Sequence, residues 1–141
     1  MNDPYTNEDE QYKRLEKEYL KYGTLFVAFD FDNTIYDYHK EGTKYPFITH
    51  LLQLCDKYKF TLILFTARKY PDIDYAYSYC KNELGFTPNF VNQNPKINPH
   101  CAKPYYDILL DDRAGLGEAS KVLIKLINNI QDGRIKFIES C

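Results

Sequence analysis

The sequence predicts an α/β fold, a parallel sheet with helices on both faces, three layers in all. Two observations carry this. The strand-like runs at 26–29 (FVAF), 60–66 (FTLILFT) and 106–110 (YDILL) are nearly continuous in apolar residues. Strands buried on both faces read that way, whereas half-exposed strands alternate. Between them lie segments with apolar residues at helical spacing, so strand and helix alternate along the chain. A length of 141 residues with 44% hydrophobic residues suits one packed domain.

The elements follow in order. Residues 7–22 carry Tyr12, Leu15 and Tyr19 on one helical face, with Gly23 as the stop. This helix forms an N-terminal extension, 1–23, packed on a core spanning 24–141. Residues 24–30 form the first strand and 35–44 a polar loop. Residues 45–58 form a helix with Phe47, Ile48, Leu51, Leu52 and Cys55 on one face. The second strand is 60–66. A helix over 72–84 ends at Gly85, and 88–92 is a short third strand. Residues 92–104 contain three prolines and three asparagines and read as a loop. The fourth strand is 106–110. A helix over 118–130 aligns Ala119, Val122, Leu123, Leu126, Ile127 and Ile130, and 135–138 reads as a final strand.

Composition narrows the function classes. A net charge of −2 does not suit a dedicated nucleic-acid-binding face. No apolar run is long enough to span a bilayer, and the polar, acidic N-terminus is unlike a secretory signal, so a cytoplasmic setting without membrane contact is expected. Cys55, Cys80, Cys101 and Cys141 form no C-x-x-C pair and read as free thiols in a reducing compartment. The 14 tyrosines read mainly as amphipathic core-and-rim residues, although tyrosine also stacks on bases.

The chemistry concentrates at the strand ends. The first strand stops at Asp30, followed by Asp32 and Thr34. The second ends at Thr66, with Arg68 just after. The fourth ends in Asp111, Asp112 and Arg113. In an open parallel sheet, ligands bind beyond the carboxyl ends of the strands, so four carboxylates are expected to converge there. Like charges at close range must be neutralised, and Mg²⁺ prefers carboxylates, water and phosphate oxygens. A single Asp after a strand is readily a helix cap or a solvated charge. Two acidic pairs at two strand ends are harder to explain in that way.

These residues carry a resemblance. D-F-D-N-T after an apolar strand, Thr66 ending the next, and the late I-L-L-D-D-R resemble the motifs of the haloacid dehalogenase-like hydrolase superfamily, over most of residues 24–138. Asn33 stands where many members have glycine. The resemblance implies a Rossmann-like core and an Mg²⁺-dependent phosphatase. Asp30 would attack phosphorus and form an aspartyl-phosphate. With a reference pKa of ~3.9 it would be ionised at neutral pH without help from a base. Asp32 would protonate the leaving oxygen and later activate water, with its pKa raised by the neighbouring carboxylates, while its main-chain carbonyl binds the metal. Asp111 would be a metal ligand, Asp112 would support the metal, and Thr66 would hydrogen-bond a phosphoryl oxygen. Lys103, or alternatively Lys96, would neutralise charge in the transition state.

Within the superfamily that the chain resembles, Asp32 points to a phosphatase, because dehalogenases lack an acid two residues after the first Asp, a halide leaving group needing no proton. Neither the stretch between Thr34 and Phe60 nor that between Asn92 and Tyr106 holds a cap domain, so a capless member with a short flap over 35–44 is implied. Tyr36, Tyr38, His39 and Lys40 on that flap are candidate substrate contacts or solvated loop residues. An open site suits extended substrates, or an oligomer in which a neighbouring subunit covers it. By analogy with small capless members and with polynucleotide kinase–phosphatases, the leading substrate is a small phosphorylated molecule, a nucleotide or a nucleic-acid end; a sugar phosphate or phosphoprotein is the alternative. A non-enzymatic phospho-acceptor module would place its acidic pair after the first strand and its phosphorylated Asp after a later one, a different order. A P-loop kinase fails because no Lys-Ser or Lys-Thr follows Gly115 and Gly117. A catalytically idle scaffold finds no support, because every catalytic residue type is present.

Overall fold

The structure is a computed structural model in which residues 7–42, 45–93 and 105–138 are described. Four parallel strands, β1 (Phe26–Asp30), β2 (Thr61–Phe65), β3 (Phe90–Val91) and β4 (Ile108–Leu110), form one sheet in the order β3-β2-β1-β4. The helices are α1 (Glu8–Tyr22), α2 (Pro46–Lys57), α3 (Asp72–Asn82) and α4 (Leu116–Gln131). The expected α/β parallel sheet is therefore present. From β1 the chain moves outward to β2 and β3, then returns to β4 on the other side of β1. The crevice between β1 and β4 is the point where the winding reverses.

Side chains alternate across the sheet. Val27, Phe29, Leu62, Leu64, Ile108 and Leu110 face one cluster, which also takes Tyr12, Leu15 and Tyr19 of α1, Leu51 and Leu52 of α2, Ala76 and Cys80 of α3, and Leu123 and Leu126 of α4. Phe26, Ala28 and Ile63 face the other side, joined by Phe65, Phe90, Leu109 and Tyr105. Among the described residues, the buried side chains of all four helices join the first cluster. No described helix residue is in the second cluster, where Tyr105, from the β3–β4 crossover, packs edge-on against Phe26.

α1 packs Tyr12, Leu15 and Tyr19 into the main cluster. Its N-cap, Asn7, accepts hydrogen bonds from the N–H groups of Asp9 and Glu10, and Gly23 ends it in the left-handed region at φ 74°. Arg14 donates to the Asp107 carbonyl at 3.1 Å. The Asp107 carboxylate accepts from the Phe26 N–H at 2.8 Å, which ties the start of β4 to β1.

Two elements differ from the sequence expectation. The expected third strand over 88–92 shrinks to two residues, because Asn89 and Asn92 replace ladder bonds with their side chains. Asn89 Oδ1 accepts from the Leu62 N–H, and Asn92 Oδ1 accepts from the Thr66 N–H. The segment 135–138 is not a strand. Phe137 packs its ring over Gly23 instead of pairing its backbone with the sheet.

Candidate active site

The register builds the site. Phe29 pairs with Leu110, so Asp30 and Asp111 leave the sheet side by side at the carboxyl ends of β1 and β4. Beyond Asp30 the chain makes a tight turn. The N–H groups of Ile35 and Tyr36 both donate to the Phe31 carbonyl, at 3.1 and 3.0 Å, and the Asn33 N–H donates to the Tyr36 carbonyl at 2.7 Å. Asn33 takes φ 63° to close it, a conformation that asparagine tolerates better than most residues. The turn drives Thr34 fully inside. Its hydroxyl lies 3.2 Å from Asp30 Oδ2 and 3.4 Å from Asp112 Oδ1, and accepts from the Asp112 N–H at 3.2 Å.

Carboxylate oxygens of Asp30, Asp111 and Asp112 thus lie within 4.8 Å of one another. Burial first, then the Asp111 charge and the Asp112 contact, push the Asp30 carboxyl up from 3.8 to about 7. The expectation of an ionised Asp30 started from its reference value; in the fold, burial and the neighbouring carboxylates work against ionisation. Crowding falls on Asp30, because β1 and β4 place it beside both members of the second pair.

Asp32 stands apart from that crowding. Its carboxylate is bound at both oxygens by Arg68, with Nε to Oδ2 at 3.0 Å and Nη2 to Oδ1 at 2.8 Å. The expected neighbours of Asp32, the other carboxylates, are replaced by a guanidinium. A cleft of about 240 Å³ opens between the two groups, lined by Asp30, Asp32, Asn33, Ala67, Asp111, Asp112 and Arg113.

Thr66 follows the last residue of β2; it is not among the residues that line this cleft, although its neighbour Ala67 is. Its hydroxyl accepts from the Arg68 N–H at 3.1 Å, and Asn92 clamps its main chain with two hydrogen bonds, at 2.9 and 2.8 Å. Lys103 and Lys96 lie outside the described residues. Of the flap residues, Tyr36 stacks on Phe31 and meets Tyr75 and Tyr79 edge-on, so it belongs to an aromatic cluster. Ile35, expected in a polar loop, is buried in the core, while Tyr38, His39 and Lys40 are exposed. Cys55 and Cys80 are buried free thiols; burial pushes both up, Cys80 to about 12. Cys101 and Cys141 lie outside the described residues.

Sequence reasoning gave no site role to Thr34 or Asn92. Thr34 was visible as the last letter of D-F-D-N-T. Arg68 reads from the sequence as a salt-bridge group near the site, and the structure supplies its partner, Asp32, 36 positions away. Asn92 carried no signal beyond its place in a loop.

No family model and no curated protein matches the chain. A conserved protein from Bacteroides thetaiotaomicron has a similar solved structure. It is 25% identical, the TM-score is 0.57, and the match covers 80% of this chain and 93% of that one. This likeness supports the α/β fold. No described helix is long and apolar enough to cross a membrane.

The donor set suits a hard divalent cation. Three carboxylates gather at one cleft, all ligand atoms are oxygen, and no described cysteine or histidine joins them. Mg²⁺ takes such oxygen donors and keeps open positions for water and phosphate.

Proposed function

We propose that this chain is an Mg²⁺-dependent phosphomonoester hydrolase of the haloacid dehalogenase-like type that works through a phosphorylated Asp30. The observation that carries the reading is the side-by-side exit of Asp30 and Asp111 at the switch point, with Asp112 beside them and Asp32 across the same cleft. Asp30, Asp111 and the main-chain carbonyl of Asp32 would hold the cation, with Asp112 supporting it. The cation would supply neutralisation of the phosphoryl charge and of the crowded carboxylates.

The protein's own residues do the rest. Asp30 presents a carboxylate oxygen to phosphorus and is held by the Thr34 hydroxyl. Asp32 gives a proton to the leaving oxygen and then takes one from water, which returns Asp30 to its free form. Thr66 orients a phosphoryl oxygen, and Lys103 supplies a further positive charge. Arg113 lines the cleft and offers a second. A short flap between β1 and α2, with no cap domain, would leave the site open to a nucleotide or a nucleic-acid end. Exposed Tyr38 and Tyr75, whose rings lie beside Arg68, favour a substrate with a planar base over a sugar phosphate.

The test is hydrolysis of an aryl phosphate by the purified protein, in EDTA and then in Mg²⁺. Activity is expected only with the cation. Asp30→Asn is expected to stay folded and to lose turnover by many orders of magnitude. Equal rates in EDTA and Mg²⁺, or a near wild-type Asp30→Asn, would overturn the reading.

A further inference from the structure

We propose that Arg68 is a positioning residue for Asp32, fixing the carboxylate that takes a proton from the attacking water; this rests on the phosphatase reading above. The argument is geometric. Arg68 grips both oxygens of Asp32, at 2.8 and 3.0 Å. A fork bound at two points stops the carboxylate from rotating about its last bond. The guanidinium is itself boxed in. Its central carbon lies 5.0 Å from the Phe31 ring centre, 5.1 Å from Tyr36, 5.7 Å from Tyr75 and 5.8 Å from Tyr38. Phe31 and Tyr36 flank Asp32 in its own turn, and Tyr75 comes from α3, so the pair is braced by two elements. Only 15% of the Arg68 side chain is exposed, which distinguishes it from a free surface cation waiting for substrate.

The chemistry follows from the fork. A guanidinium complements an ionised carboxylate, the form that the second half-reaction needs. There the oxygen of water bonds to phosphorus as the bond between phosphorus and the Asp30 oxygen breaks. One water proton passes to Asp32, and orthophosphate leaves. In the next cycle that proton goes to the leaving oxygen as Asp30 attacks. A lysine at position 68 would keep the charge but lose the two-point grip.

The experiment mixes the full chain, and its Arg68→Ala and Arg68→Lys variants, with 4-nitrophenyl phosphate and Mg²⁺ and follows nitrophenolate from the first milliseconds. Both variants should release about one nitrophenolate per chain in a rapid first turnover. The steady rate should then fall on the order of 10–100-fold, less than the ~10²–10⁴-fold typical of a whole acid–base group. KM should stay within a few-fold. In an Asp32→Asn background, Arg68→Ala should cost nothing further, because both act through one carboxylate. Three results would overturn the proposal: equal slowing of both phases, a raised KM with kcat retained, or losses that multiply in the double variant. If Arg68→Ala fails to fold by circular dichroism, Arg68→Lys carries the same test. A wild-type chain that hydrolyses no phosphomonoester with Mg²⁺ removes the phosphatase reading and this proposal together; an active wild type with unaffected Arg68 variants removes only this one.

Discussion

The Thr34 hydroxyl meets Asp30 and Asp112 at once and accepts the Asp112 N–H, so one buried oxygen joins the ends of β1 and β4. Thr34→Val keeps the shape and removes all three contacts. The Asp112 N–H then loses its acceptor in a half-buried place, a cost of about 1 kcal/mol. Urea unfolding of Thr34→Val should show that loss, and Thr34→Ser should recover most of it; a Thr34→Val chain as stable as wild type would mean that this junction contributes nothing. At this scale the sequence exposed the acidic residues well. Asp30, Asp32, Asp111 and Asp112 stand out because charge follows directly on apolar runs. Which carboxylate is crowded and which is gripped by a cation was not legible. That division depends on the turn at Asn33 and on Arg68 arriving from β2, neither of which a local pattern encodes.

Elements were legible where a long apolar stripe had one way to be buried. α1, α2 and α4 put their predicted faces into the core because 3.6-residue spacing leaves no second face to bury, except that Phe47, expected on the buried face of α2, sits at its first turn and is exposed. The run I-K-F-I at 135–138 misled because alternation reports which side chains are buried, not whether the backbone pairs. Ile135 and Phe137 do pack on the main cluster, yet no ladder forms. Phe137 depends on Gly23. A Cβ placed there would sit 2.5 Å from the Phe137 ring, and the residue holds φ 74°. Gly23→Ala therefore combines a left-handed strain with a clash. A destabilisation of about 1–3 kcal/mol is expected, read by urea unfolding and partly relieved in a Gly23→Ala, Phe137→Leu double variant. An unchanged midpoint in Gly23→Ala would show that the C-terminal segment is not seated on α1.

At the scale of the whole molecule, the site costs stability in a way that pH can read. Asp30 in the unfolded chain releases its proton near 3.8, whereas in the fold it holds it to about 7. Between those values the folded state binds more protons than the unfolded one. The contribution of Asp30 is thus full below about 3.8 and is lost as pH rises through about 7. Asp107 is also shifted up, by burial first, and acts in the same direction, but it lies at the opposite end of the strands and would not sense the cation. Comparison with Asp30→Asn isolates the contribution of Asp30 from that of Asp107. In EDTA, the melting temperature of wild type relative to Asp30→Asn should fall between about pH 4 and about pH 7.5. If the proposed cation site is right, adding Mg²⁺ should raise the wild-type value more at the higher pH than at the lower, because a cation held by the ionised cluster would displace the proton that burial retains. Asp30→Asn should blunt that gain, since one of the three converging carboxylates is then neutral. Differential scanning calorimetry at both pH values, with and without the cation, measures all of this. A relative melting temperature that rises with pH in EDTA would mean that Asp30 is not the crowded member of the cluster. A gain from Mg²⁺ that is equal at both pH values would mean that the cation binds elsewhere.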